Sequence, residues 1–176
     1  MTELVVPSVD RYEAWKSCME DFGEAHEDLH GSGYWYLPEG LQFDTDRDTL
    51  EALVAILRRL RRETDRESTM PSDFLWIFEG DEMVGFVRVT YRLNEWLLER
   101  GGHIGYSIRP SRRREGHART ALALALARCR EHGVERALIT CDPGNAGSEA
   151  TIRANGGVYE RLSVDGKVKR FWIDLA

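Results

Sequence analysis

Residues 109–119, Arg109-Pro110-Ser111-Arg112-Arg113-Arg114-Glu115-Gly116-His117-Ala118-Arg119, set five arginines against one glutamate, a local net charge of +4 in a 176-residue chain whose formal total is −6. Arginine's planar fork donates bidentately to phosphate oxygens. Gly116 permits an unusual φ and lets a ligand approach the backbone. The stretch from Arg119 through His132 is filled with alanine and leucine and predicts a helix. The first turn of a helix has unpaired N–H groups at the positive end of the dipole, which is an anion site. The chemistry this spacing offers is the holding of a phosphate or pyrophosphate. The alternative is a solvated basic turn ahead of an ordinary core helix.

The elements around this turn follow from patterning. Leu4-Val5-Val6-Pro7 reads as a first strand. Ser8 or Asp10 can cap a helix with Tyr12, Trp15, Cys18, Met19 and Phe22 on one face, ended by Gly23. Residues 24–43 read as a long irregular loop with the aromatic cluster Tyr34-Trp35-Tyr36, which either lines a substrate site or plugs a core edge. Thr45 or Asp46 starts a second helix with Leu50, Leu53, Val54, Leu57 and Leu60 on one stripe. Asp65–Asp73 reads as a polar connection. Phe74–Glu79 and Met83–Tyr91 form a hairpin across Gly80-Asp81-Glu82, and Gly102–Ile108 is the next strand. Its glycines, Gly102 and Gly105, predict a bulge or a close approach by another backbone or a ligand. After the long helix, Arg136–Cys141 is a buried strand, Asn145 caps a helix through Ala154, and Val158–Val164 pairs with Lys167–Leu175 across Asp165-Gly166. The order is β-α-α-β-β-β-α-β-α-β-β, an α+β (α/β) fold in a single domain spanning 1–176. A strand, crossover helix and parallel strand place a ligand at the strand's carboxyl end, where the arginine turn lies.

Composition excludes several classes. No apolar run approaches the ~18–20 residues of a membrane span. The acidic start, Met1-Thr2-Glu3, is unlike a signal peptide. Cys18, Cys129 and Cys141 are scattered without metal spacing, so they read as reduced thiols in a cytoplasmic protein with no metal. The overall negative charge and the lack of a second basic face argue against nucleic acid. The first 57 residues carry −10 (thirteen acids, three bases) and the remainder +4. That acidic half either steers a cationic amine or simply solubilises the protein. The final hairpin and the aromatic loop are surfaces on which a homodimer could form.

The turn is neither a P-loop nor a three-glycine dinucleotide fingerprint. Arg113-Arg114-Glu115-Gly116-His117-Ala118 fits Arg/Gln-x-x-Gly-x-Gly/Ala, which resembles the acetyl-coenzyme A signature of the GNAT N-acetyltransferase superfamily. Met83-Val84-Gly85, Ile108-Arg109-Pro110, Asn145-Ala146-Gly147-Ser148 and Asn155-Gly156-Gly157 resemble further elements of that family, so the likeness covers nearly the whole chain. It implies a GNAT-like mixed central sheet flanked by helices. It also implies an acetyl-coenzyme A donor and direct attack by a primary amine of a small molecule or peptide.

Position by position, the resemblance assigns the backbone of Ile108 to the pantetheine arm. Arg113, Arg114, Gly116 and Ala118 go to the pyrophosphate, with His117 as a further donor and Thr120 nearby. Asn145 goes to the pantetheine arm, unless it is only a cap, and Thr120 is otherwise a surface hydroxyl. The family's usual tyrosine acid, four residues after Ser148, is here Ile152. An attacking amine must lose a proton and a leaving thiolate gains one. Tyr106 and His103, on the strand beside the expected cleft, are the candidates, although three-residue spacing turns them to opposite faces of a regular strand. A small core hydrophobe is the better reading of Cys141. The absent tyrosine keeps open a second reading, a catalytically weak acyl-coenzyme A-binding sensor or regulatory module.

Overall fold

A computed structural model describes residues 1–23, 29–42, 44–62 and 70–176. Parts of the expected loop at 24–43 and of the connection at Asp65–Asp73 lie outside the described residues. The elements are β1 (Thr2–Val5), α1 (Tyr12–Phe22), α2 (Arg47–Leu60), β2 (Ser72–Glu79), β3 (Glu82–Thr90), β4 (Ile104–Ile108), α3 (His117–Glu131), β5 (Arg136–Cys141), α4 (Ala146–Ala154), β6 (Val158–Leu162) and β7 (Lys169–Asp174). This is the order the patterning predicts.

Local chemistry explains the helix starts. Asp46 accepts from the Thr49 N–H at 2.7 Å and Asn145 from the Ser148 N–H at 2.9 Å, each supplying an acceptor to an otherwise unpaired amide. Helix α2 buries Leu50, Leu53, Val54, Leu57 and Leu60 and carries Arg58 and Arg59 in its last turn, where the dipole favours cations. Helix α3 differs from both. Its N-cap is Gly116 in a left-handed conformation, and no side chain caps it.

Strands β1-β2-β3-β4 form one antiparallel sheet, and β5-β7-β6 a second. Two apolar clusters cover opposite faces of the first sheet. One joins Val84, Val87, Ile104 and Ile108 to Leu122, Ala125 and Leu126 of α3 and to Ile139 and Phe171 of the second sheet. The other joins Trp76, Phe78 and Phe86 to Trp15 and Phe22 of α1 and to Leu50, Leu53 and Leu57 of α2.

The mixed sheet expected from the crossover is divided at the β4–β5 join. The His103 N–H donates to the Leu138 carbonyl at 2.7 Å, and the Leu138 N–H donates to His103 Nδ1 at 2.9 Å. The two strands are pinned just before β4 begins and form no ladder beyond it. Gly102 permits this pinning, since a Cβ there would lie 2.5 Å from the Leu138 oxygen and φ is +61°. The predicted close approach of a backbone therefore occurs at this glycine.

The last hairpin is looser than predicted. Instead of a two-residue Asp165-Gly166 turn, six residues separate β6 from β7, organised by the Ser163 hydroxyl, which accepts from the N–H groups of Lys167 and Val168. No helix among the described residues is long and apolar enough to cross a membrane.

Candidate active site

The register of β4 decides what its open edge offers. The Arg109 N–H donates to the Val84 carbonyl and the Thr90 N–H to the His103 carbonyl. In an antiparallel ladder the paired residues alternate, so residues 103, 105, 107 and 109 turn carbonyls or amides to β3. The backbone groups of Ile104, Tyr106 and Ile108 face the other way, toward the gap left by the diverging β5. A cavity of about 940 Å³ fills this gap. Its walls include β4, the end of β5, the first turns of α3 and α4, and the segment around His30–Tyr36.

The arginine turn forms one end of the cavity. Arg114 (φ +71°) and Gly116 (φ +90°) both adopt the left-handed region, and the first α3 hydrogen bond runs from the Thr120 N–H to the Gly116 carbonyl. The N–H groups of the first turn, at His117, Ala118 and Arg119, therefore lack a helical partner and a capping side chain. This cradle fits an anionic phosphate group.

The five arginines are not equivalent. Arg109 is buried, with Nε bonded to Asp21 at 3.1 Å, Nη1 to Glu82 and the Met83 carbonyl, and Nη2 to Ser17. Arg112 is paired with Glu79, Glu82 and Glu115. These two hold the turn to α1 and to the β2–β3 hairpin. Arg113 donates from Nε to the Ile108 carbonyl at 3.0 Å, so it straddles the strand end and the cradle. Arg114 and Arg119 are exposed on the cavity rim.

His117 departs from its expected role. Its ring is buried, with Nδ1 3.0 Å from Thr2 Oγ1 and Nε2 3.2 Å from Glu115, so the imidazole faces β1 and the acidic cluster. What it offers the cavity is its backbone N–H. Glu79, Glu115 and His117 are a grouping with metal-ligand potential among the described residues. Arg112 bonds to both carboxylates and holds their pKa values below the usual carboxylate range. Thr120 is exposed and lies off the cavity wall, whereas Ala118 and Asn145 lie on it.

The two catalytic candidates separate. Tyr106 lines the cavity, and its hydroxyl lies 2.9 Å from Ser148 Oγ at the start of α4. Burial pushes its pKa up to about 12, so the phenol holds its proton. His103 is buried off the cavity wall, and burial lowers its pKa to about 4. Its Nδ1 accepts a backbone hydrogen bond, which leaves it pinning the two sheets with no part in the cavity. The opposite-face argument from strand spacing holds.

Ile152 is fully buried in the α3-side core, so the position of the family's tyrosine carries packing here. Cys141 lines the cavity, but burial raises its thiol to about 11, which removes it as a thiolate nucleophile.

Several cavity residues carried no local signal. His30, Arg88 and Trp96 also line the cavity, together with Trp35 and Tyr36 of the aromatic cluster. Arg88 is an ordinary strand position by pattern, and only the fold brings it to the 30–36 segment.

A sheet split between β4 and β5, with an uncapped helix N-terminus at the mouth of the split, offers an extended, phosphate-bearing ligand both an open strand edge and an anion cradle. The model for the GNAT acetyltransferase domain matches residues 18–158. The chain belongs to the GNAT acetyltransferase family, and is an acetyltransferase. No curated protein matches this chain at a significant level.

Solved structures share the fold at low identity. The ribosomal L7/L12 alpha-N-protein acetyltransferase RimL in complex with coenzyme A is 17% identical, with 98% of this chain and 93% of that one covered and a TM-score of 0.65. The microcin C7 self-immunity acetyltransferase MccE, with acetyl-CoA and AMP, is 14% identical over 98% and 92%, with a TM-score of 0.65. The PaiA N-acetyltransferase from Thermoplasma acidophilum, with coenzyme A, is 14% identical over 99% of both chains, with a TM-score of 0.59.

Proposed function

We propose that residues 1–176 act as one domain that moves an acetyl group from acetyl-coenzyme A to a primary amine of a small molecule or peptide, by direct attack of the amine. The observation that carries this reading is the open β4 edge meeting the uncapped α3 N-terminus in one cavity. When bound, the donor supplies an activated thioester. The first-turn amides of α3, with Arg113, Arg114 and Gly116, hold its phosphates. The Ile108 N–H, which faces the cavity, pairs with its amide-bearing arm, as in strand addition. Asn145 serves chiefly as the cap that sets α4, and Thr120 has no contact with the donor.

The chain's own proton chemistry centres on Tyr106. Its Oη, kept protonated by burial and hydrogen-bonded to Ser148, holds a proton for the departing sulfur. This phenol reaches the α4 start from β4, and so supplies from another element what Ile152 cannot. His103 is a positioning residue that holds the vertex of the split. The amine's proton leaves through water in the open cavity. The second reading, an acyl-coenzyme A-binding module with little turnover, is favoured by Ile152 in the core.

Thermal melting with acetyl-coenzyme A and coenzyme A, followed by thiol release against a panel of amines, tests the proposal. A rise in Tm with ligand concentration and amine-dependent thiol release are the expected results. A shift without turnover on any amine supports the binding module, and no shift overturns both.

A further inference from the structure

On the acceptor-facing side of the cavity two guanidinium groups line the wall, Arg88 and Arg100. Arg100 is neutralised by an ion pair with Asp165. Arg88 has no carboxylate partner among the described residues. Its Nη2 donates to the carbonyls of Gly101 and Gly102 at 3.1 and 3.3 Å, and its buried Nε has no acceptor among the described residues. Carbonyl dipoles do not neutralise a cation, and a desolvated charge without a counter-ion is costly unless something supplies one. Two exposed tryptophans, Trp35 at 52% and Trp96 at 55%, line the same cavity. Large indoles left half in solvent on a concave wall are surface for an apolar ligand.

We propose that Arg88, Trp35 and Trp96 form an acceptor subsite for a small primary amine that carries an anionic group and an apolar body. The inference rests on the transferase reading above. Arg88 pairs across the sheet with Gly105, next to Tyr106 on the open edge. Neighbouring antiparallel strands stand about 4.5–5.5 Å apart at Cα, so the Arg88 backbone lies one strand spacing from the edge where the amine must meet the acyl group. Gly105 presents no side chain, and a Cβ there would sit 3.9 Å from Arg88 Nη2. An anion bound to Arg88 is therefore only a few bonds from the reacting nitrogen. The α-amino acids and short phosphoamines meet that spacing. A peptide N-terminus does not, because its nearest carbonyl is an uncharged amide.

The test is amine-dependent thiol release with paired acceptors. L-phenylalanine and L-tryptophan are compared with their amides, glycine with both amino acids, and O-phosphoethanolamine with ethanolamine. A charge-assisted contact predicts a preference for the acid over its amide of about tenfold or more in kcat/KM. Arg88→Met is expected to erase that preference by raising KM for the acid, with KM for the amide and the Kd for acetyl-coenzyme A nearly unchanged. Arg88→Lys, which keeps the charge and loses the fork, restores part of it and serves if the methionine variant does not fold. Trp35→Ala and Trp96→Ala are expected to narrow the advantage of phenylalanine over glycine.

Use of phosphoethanolamine but no amino acid identifies the anion as phosphate and supports the subsite. Equal or better use of amides or ethanolamine by the wild type, or an equal loss on acid and amide in Arg88→Met, overturns it while leaving the transferase intact. Thiol release with no amine, despite a Tm rise with coenzyme A, overturns the transferase reading and this inference with it.

Discussion

The two walls of the cavity are built by different means. The wall proposed for the donor is backbone: the open edge of β4, the left-handed residues Arg114 and Gly116, and the first-turn amides of α3. The wall proposed for the acceptor is side chains brought from separate elements: Trp35 and Tyr36 from the segment before α2, Arg88 from β3, and Trp96 from the β3–β4 connection. Backbone geometry is specified by a few local residues and tolerates side-chain change. A side-chain wall can be rebuilt one residue at a time. On the proposed reading, this difference lets one fold keep its donor while its acceptor wall changes.

The sharpest way to break this comparison is to spoil the donor wall alone. Gly116→Asp keeps a residue type that tolerates the left-handed region and places a negative charge in the cradle. We expect Kd for coenzyme A to rise about a hundredfold, as befits loss of a charge-assisted contact plus repulsion, with a small change in Tm. Gly116→Asn, similar in shape and uncharged, is expected to lose far less. Equal affinities for the two variants, by titration calorimetry, would separate the cradle from the phosphates.

Tyr106→Phe tests chemistry without disturbing either wall. General acid catalysis of this kind contributes about 10²–10⁴-fold, so kcat should fall toward the lower end of that range with the donor Kd unchanged. With the phenol pKa near 12, no falling limb assignable to Tyr106 is expected in the wild-type pH–rate profile between pH 6 and 10. A limb in that range lost in Tyr106→Phe would reassign the proton.

The vertex where the sheets meet makes a pH prediction. His103 is neutral in the folded protein, with a pKa lowered from 6.5 to about 4 by burial. As pH falls below 6.5 the unfolded chain takes up a proton that the folded chain refuses, so stability is lost progressively down to about pH 4. The loss is on the order of 1–3 kcal/mol. Denaturant unfolding at several pH values should show this slope in the wild type and a flatter one in His103→Ala. At neutral pH that variant is also destabilised by the orphaned Leu138 N–H. The smallest effect concerns α4, where Asn145→Ala removes a cap worth about 1 kcal/mol and should lower Tm by a few degrees.

How much of this was legible in the sequence follows the same division. The element order and the caps at Asp46 and Asn145 are local and were readable, as was the glycine turn before α3. The meaning of individual arginines was not. Arg109 and Arg112 look like phosphate ligands by type, but their acids lie far along the chain: Asp21 is 88 residues from Arg109, and Glu79 is 33 from Arg112. His117 was turned away from the cradle by Thr2, 115 residues distant. His103 showed the glycines of a close approach beside it but not the Leu138 amide that occupies its ring. Arg88 gave no signal, because a strand pattern cannot say which cation has no carboxylate partner among the described residues.

The most direct test of the donor wall is amide hydrogen exchange of the wild-type protein with and without coenzyme A, read residue by residue. The account predicts new protection at Ile108 and at the first-turn amides His117, Ala118 and Arg119, with residues 105 and 107 unchanged because β3 already holds them. Protection confined to other elements, with these amides exchanging as fast as in the free protein, would contradict it.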